Sequence, residues 1–153
     1  MNKWILSAAL SAGAFLGARE ASACPGEEKM QASIQPVTVE EVVALKAKSA
    51  QIYDANGIET RQKYGVIPGA KLLSHYVSFQ SSELPKSKSD AVVFYCGSEA
   101  CTAAPQAAKR AVHEGYTNVK VLTAGIKGWT KAGQPVVPLA QAASSKPAGQ
   151  PGA

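Results

Sequence analysis

Ala91-Val92-Val93-Phe94-Tyr95 restricts the fold more than any other segment of this chain. The run is continuous, apolar and rich in β-branched and aromatic residues, the pattern of a strand covered on both faces. A strand of that kind needs a layer on each side, and the flanking sequence supplies candidates. Thr38-Val39-Glu40-Glu41 is a capping box, with Glu41 three residues after the capping threonine. Val39, Val42, Val43 and Ala47 then recur at helical spacing to about Lys48. Residues 51–54 read as a short strand ending on Asp54, and residues 59–64 as a short helix. Val66-Ile67-Pro68-Gly69-Ala70 is a turn leading into an extended 71–73, and 74–90 is polar and loop-rich.

After the central strand the chain turns sharply through residues 96–101 and enters a helix over 102–114. Pro105 is tolerated there because it falls in the first turn, and Gly115 is the expected residue just past a helix end. Residues 119–122 form another strand, and 126–131 a last short helix before Gly133. Strands alternating with helices predict an α/β domain with a mainly parallel sheet and helices on both faces. In such folds the ligand lies outside the carboxyl ends of the strands. Cys96 stands at one of those ends.

Both termini read differently from this middle. Lys3, an apolar and small-residue run over 4–18, and Ala21-Ser22-Ala23 have the layout of a secretory leader, residues 1–23. The apolar run falls short of the roughly twenty residues of a spanning helix. The expected location is therefore outside the cytoplasm, in a periplasm-like compartment. Cleavage after Ala23 would expose Cys24, which opens lipid anchoring as an alternative and the one route to a membrane. Residues 24–35 are an N-terminal segment, 36–138 the expected domain, and 139–153 an Ala/Gln/Ser/Pro/Gly tail expected to be disordered.

The 153-residue chain is 46% hydrophobic and 18% charged, a composition that supports one packed core. Its net charge of +5 falls to +4 if residues 1–23 are removed. These bases are scattered without a stripe or interleaved aromatics, which argues against nucleic acid as partner. Three cysteines are too few for a disulfide-built scaffold.

A cysteine between a buried strand and a helix meets two physical influences. Loop amides can converge on its sulfur, and the helix N-terminus adds partial positive charge. Both favour thiolate over thiol and can bring its pKa from about 8.5 into roughly the 3.5–7.5 range. Gly97 allows close backbone approach and Ser98 offers a hydroxyl donor. The competing reading is a small buried hydrophobe that ends a strand. The loop by itself leaves both open.

The residues resemble the rhodanese-like sulfurtransferases over nearly all of 36–137. The markers are Tyr53-Asp54, Gly65-Val66-Ile67-Pro68-Gly69-Ala70, the run from Val92 to Cys96, and Glu114-Gly115-Tyr116-Thr117-Asn118-Val119. They continue with Thr123-Ala124-Gly125-Ile126-Lys127-Gly128-Trp129 and Ala132-Gly133-Gln134-Pro135-Val136. The resemblance implies a three-layer fold and a Cys96 persulfide. A small donor such as thiosulfate would supply the sulfur, and cyanide or a thiol would accept it. The substrate cradle would be Gly97, Ser98, Glu99, Ala100 and Cys101, with Thr102 at its end. No cofactor or resident metal is implied.

This chain departs from the family pattern where charge matters. Gly97, Glu99 and Cys101 stand where a basic residue, a glycine and an arginine are usual, Asp54 is followed by Ala55 and Asn56 without an arginine, and Val66 replaces a histidine. Four cationic or protonatable groups are missing and one acid is added, so a thiosulfate dianion finds less stabilisation. Phosphatase chemistry, which clamps phosphate with an arginine, is disfavoured.

Cys101 has three readings: a resolving thiol that closes a Cys96–Cys101 disulfide, a packing residue, or one of a metal-binding pair with His75. The other candidates have plainer explanations. Asp54 and His75 could face the site, but a solvated loop role suits His75 as well. His113 near a helix C-terminus, Trp129 in the core, and Lys109 with Arg110 on an exposed face need no catalytic role.

Overall fold

A computed structural model describes residues 33–144. Five strands, β1 (Ile34–Val37), β2 (Gln51–Asp54), β3 (Lys71–Leu72), β4 (Val92–Tyr95) and β5 (Val119–Leu122), form one sheet. The spatial order is β1-β5-β4-β2-β3. Every neighbouring pair is parallel, and the register places Val92 beside both Gln51 and Val119. Parallel neighbours require crossovers, made here by α1 (Val39–Ala47), α2 (Ile58–Tyr64), the loop over 73–91 and α3 (Ala103–His113), while α4 (Gly125–Lys131) and α5 (Leu139–Ser144) follow the last strand.

β4 is the centre, as its composition requires. All four of its residues are fully buried. Val92 and Phe94 enter a core with Tyr53, Phe79, Tyr116 and the Ala104, Ala107, Ala108 and Ala111 face of α3. Val93 and Tyr95 point the other way, into a core with Val42, Ile52, Ile67, Ile126 and Trp129. Period-two alternation thus fills two layers from one strand, each large apolar side chain contributing about 1.5–3 kcal/mol. The alanine stripe at i, i+3, i+4 and i+7 lets α3 approach the sheet closely.

The α1 capping box forms as expected. Glu41 N donates to Thr38 Oγ1 at 3.3 Å, and Thr38 N donates to Glu41 Oε2 at 2.8 Å. Trp129 is buried, with Nε1 donating to the Pro135 carbonyl at 2.8 Å.

Two boundaries differ from the sequence expectation. The domain begins before residue 36, because Ile34 and Gln35 belong to β1, paired to Val119 and Lys120 of β5. The expected disordered tail begins instead with α5, whose Leu139 and Ala142 rest against the Trp129 core. The leader 1–23, Cys24 and the tail beyond 144 lie outside the described residues. Among the described residues no helix is long and apolar enough to cross a membrane.

The polar stretch 74–90 is anchored by its few apolar residues, with Phe79 and Leu84 buried. A 3-10 turn, Ser81–Glu83, lets the Glu83 carboxylate accept from Ser74 N at 2.8 Å, Ser74 Oγ at 2.6 Å and Gln80 N at 2.7 Å. Partial burial pushes the Glu83 carboxyl up, but these donors outweigh it and its pKa is lowered.

Candidate active site

Cys96 follows β4 directly and is only 2% exposed. The loop after it is held from behind by the start of α4. Ile126 N donates to the Cys96 carbonyl at 2.8 Å and Lys127 N to the Gly97 carbonyl at 3.1 Å, so two helix-terminal amides fix two loop carbonyls. Gly125 makes this contact possible. Its φ is +60°, and a β-carbon there would lie 2.6 Å from the Cys96 carbonyl oxygen and 2.7 Å from Ser98 N. Both the left-handed backbone and the space demand glycine.

The loop then folds back on itself. Cys101 N donates to the Ser98 carbonyl at 2.9 Å, which brings Cys101 opposite Cys96. The two cysteines are joined in a disulfide across a Cα–Cα distance of 6.3 Å. Cys96 Sγ also lies 3.3 Å from the Cys101 carbonyl oxygen. Of the readings open for Cys101, the structure therefore brings its sulfur onto Cys96. A pair of sulfurs bonded to each other offers no thiolate to a metal. Among the described residues no group of three or more His, Cys, Asp or Glu is placed to hold one.

Gly97, Ser98 and Cys101 are half-buried, whereas Glu99, Ala100 and Thr102 are exposed. The amides of Gly97, Ser98, Glu99 and Ala100 find no acceptor among the described residues. α3 begins immediately beyond, and Thr102 does not cap it; its Oγ1 accepts from Gln106 Nε2 at 3.2 Å instead. The loop thus offers backbone N–H groups and the positive end of an eleven-residue helix, with Glu99 its one charged side chain.

Asp54 stands behind the loop as a structural hub. It is fully buried, and Tyr95 of the adjacent strand donates to its Oδ2 at 2.7 Å while accepting from Ile67 N at 3.1 Å. Asn56 N donates to Asp54 Oδ1 at 2.7 Å. Arg61 of α2 places Nε 3.4 Å from that oxygen and donates from one terminal nitrogen to the carbonyls of Asp54 and Leu73. Burial, with the Asp54 carboxylate beside it, holds the Tyr95 phenol well above its ordinary pKa.

Asp54 thus has a cationic partner although no arginine directly follows it in sequence. Arg61 supplies the charge from seven residues further on, but spends it inside the core. Asn56 then presents its side chain to the loop, its Oδ1 3.7 Å from where a Gly97 β-carbon would sit, and its buried Nδ2 has no partner among the described residues.

His75 is exposed, stacks on Tyr76 at 4.7 Å, and accepts from Val77 N through Nδ1. None of its contacts reaches Cys96. Arg110 is not on a free face: it donates to the Val77 carbonyl at 3.2 Å, pairs with Glu114 at 3.0 Å and covers the Phe79 ring. Lys109 and His113 are exposed. Beside the loop, Lys127 and Lys63 both lie over the Tyr64 ring, at 5.2 and 5.4 Å. Desolvation raises the Tyr64 phenol, but the two lysines outweigh it and its pKa is lowered.

Gly125, Asn56 and Arg61 are the site-building residues that sequence reasoning did not single out. Gly125 lay within a quoted marker, and its signal was a glycine opening the helix that follows a strand.

The rhodanese-like domain family model matches residues 38–132, well over half of the chain. The chain belongs to the rhodanese-like family. Solved structures agree on the fold of this rhodanese-like domain. A thiosulfate sulfurtransferase from Pseudomonas aeruginosa is 25% identical with a TM-score of 0.57, over 72% of this chain and 21% of that one. A protein of unknown function from Rhodopseudomonas palustris, titled a possible tyrosine phosphatase, is 24% identical with a TM-score of 0.57, over 72% of this chain and 89% of its own. A rhodanese-like domain from Anabaena sp. is 22% identical with a TM-score of 0.55, over 77% and 88%. No curated protein matches the chain.

Proposed function

We propose that this rhodanese-like domain is a sulfurtransferase that carries sulfane sulfur on Cys96. The observation behind the reading is the placement of Cys96 at the carboxyl end of β4. It opens a loop whose amides are unpartnered among the described residues and which leads into the N-terminus of α3. With the disulfide reduced, that environment favours thiolate. The thiolate attacks the outer sulfur of a donor such as thiosulfate, forms a Cys96 persulfide and expels sulfite. A thiol or cyanide acceptor then takes the outer sulfur and leaves the Cys96 thiolate.

Charge selects among donors. The loop holds no arginine or lysine side chain, Glu99 is negative, and Arg61 is committed to Asp54 and two carbonyls. A small organic persulfide, with less charge than thiosulfate, suits this cradle better. The same lack of an arginine clamp speaks against phosphatase chemistry of the kind named for the Rhodopseudomonas palustris neighbour. Export through the leader at 1–23 is part of the proposal, with lipid attachment at Cys24 as the alternative.

Peptide mapping of reduced Cys101→Ser, which cannot close the disulfide, after incubation with thiosulfate or a small organic persulfide tests this reading. One added sulfur, about 32 Da, is expected on the peptide bearing Cys96. An equal adduct in Cys96→Ser would overturn it. A second reading, a thiol–disulfide protein with no sulfur chemistry, is favoured by the bond between Cys96 and Cys101. It predicts disulfide exchange without any such adduct.

A further inference from the structure

We infer that Cys101 is a resolving thiol, and that it turns the site from a sulfur carrier into one that releases sulfane sulfur reductively as sulfide. The inference rests on the Cys96 persulfide reading and adds a different fate for the sulfur.

The two cysteines are held in bonding range by a local turn and by the start of α4. Only four residues separate them, the Cys101 N–H to Ser98 carbonyl bond closes the turn, and the Cα–Cα distance of 6.3 Å lies within the usual disulfide span of about 4.4–6.8 Å. The other side of the loop is clamped by Ile126 N and Lys127 N. A persulfide built on Cys96 therefore has a thiol already beside its inner sulfur. An intramolecular nucleophile so placed outcompetes millimolar thiols from solution. Burial adds to the bias, since Cys96 is 2% exposed while Cys101 is half-buried and nearer the surface.

The step balances. The Cys101 thiol attacks Sγ of the Cys96 persulfide, and the sulfur–sulfur bond to the outer atom breaks. The outer sulfur leaves with the electron pair and the thiol proton as hydrosulfide. The sulfane sulfur is reduced by two electrons, and the two cysteines are oxidised to the Cys96–Cys101 disulfide found in the structure. An external dithiol must then reduce that disulfide, reaching it from the Cys101 side. The partner implied is thus a dithiol reductant, and cyanide or a monothiol acceptor is not required.

The test is a single turnover with fully reduced full-length protein, kept anaerobic with reductant removed, and mixed with thiosulfate. Sulfite, sulfide and protein mass are followed, with a donor-free sample as control. Wild type is expected to yield about one sulfide per chain and to end about 2 Da lighter, as a disulfide, while the donor-free sample stays reduced. Cys101→Ser is expected to release sulfite, retain about 32 Da and yield at least tenfold less sulfide. Cys101→Ala serves the same purpose if the serine variant does not fold. Wild type that keeps its adduct as long as the variants, or variants that release sulfide equally, would overturn the inference while leaving the carrier reading standing. Variants that load sulfur from neither thiosulfate nor a small organic persulfide would overturn the carrier reading itself, and this inference with it.

Discussion

Gly125 meets Cys96 backbone to backbone: a β-carbon on the glycine would fall 2.6 Å from the cysteine carbonyl oxygen. The start of one helix thereby sets the height of the cysteine loop over the sheet. At φ +60° a side chain is strained as well as crowded. Gly125→Ala should therefore lose about 2–4 kcal/mol of stability and slow sulfur loading on Cys96 at least tenfold. Denaturant unfolding and a loading time course check this. Gly57→Ala, at a position with ordinary backbone and nothing within 4 Å, is the comparison and should cost only the weaker α2 N-cap, about 0.5–1 kcal/mol.

The hub behind the loop gives a second expectation. Asp54→Ala strands the buried Arg61 guanidinium and the Tyr95 hydroxyl together, so a loss of about 3–5 kcal/mol is expected from chemical unfolding. Tyr95→Phe keeps the ring but leaves Ile67 N and Asp54 Oδ2 short of a partner, for a smaller loss of about 1–3 kcal/mol. Equal losses from the two variants would mean that the ion pair adds nothing.

Glu83 makes stability depend on pH. Its carboxyl pKa is lowered in the folded protein from an ordinary value of 4.5, so its contribution is present above that value. The contribution is lost as pH falls through the lower folded value. Glu83→Gln should be less stable than wild type at pH 7 by about 1 kcal/mol, and the gap should close progressively below pH 4.5. A gap that does not change between pH 7 and pH 3 would contradict this.

Asn56 is expected to behave unlike an ordinary buried amide. Its Nδ2 already lacks an acceptor, so Asn56→Ala removes an unsatisfied donor along with the side-chain volume. The loss measured by unfolding should stay under about 1 kcal/mol, below what Tyr95→Phe costs. A loss above about 2 kcal/mol would show that the amide is paired in solution.

The sheet and most of its helices were readable because single segments carried their own signals: the Ala91–Tyr95 run, the Thr38 capping box and Gly115. β1 was not, since Ile34 and Val37 are its buried residues and two exposed residues separate them, which is not a strand period. α5 was hidden in an Ala/Gln segment whose weak apolar positions gain meaning only against Trp129. At the site, the place of Cys96 at the end of β4 was readable from the local sequence, whereas its role was left open there. Arg61 did not, because a cation in a short helix looks solvated until the fold wraps it onto Asp54 and Leu73. The Cys96–Cys101 bond was undecidable for a related reason: four intervening residues permit many loop shapes, and the choice among them is made by Gly125 and α4, more than twenty residues away.

The central claim is that Cys96 carries sulfane sulfur. Intact-mass measurement on reduced Cys101→Ser after thiosulfate or a small organic persulfide tests it most directly, because that variant cannot discharge the adduct into a disulfide. The account predicts a gain of about 32 Da, reversed by cyanide and absent from the Cys96→Ser, Cys101→Ser double variant. No gain from either donor, with Cys96 reduced and reactive towards a thiol reagent, would contradict it.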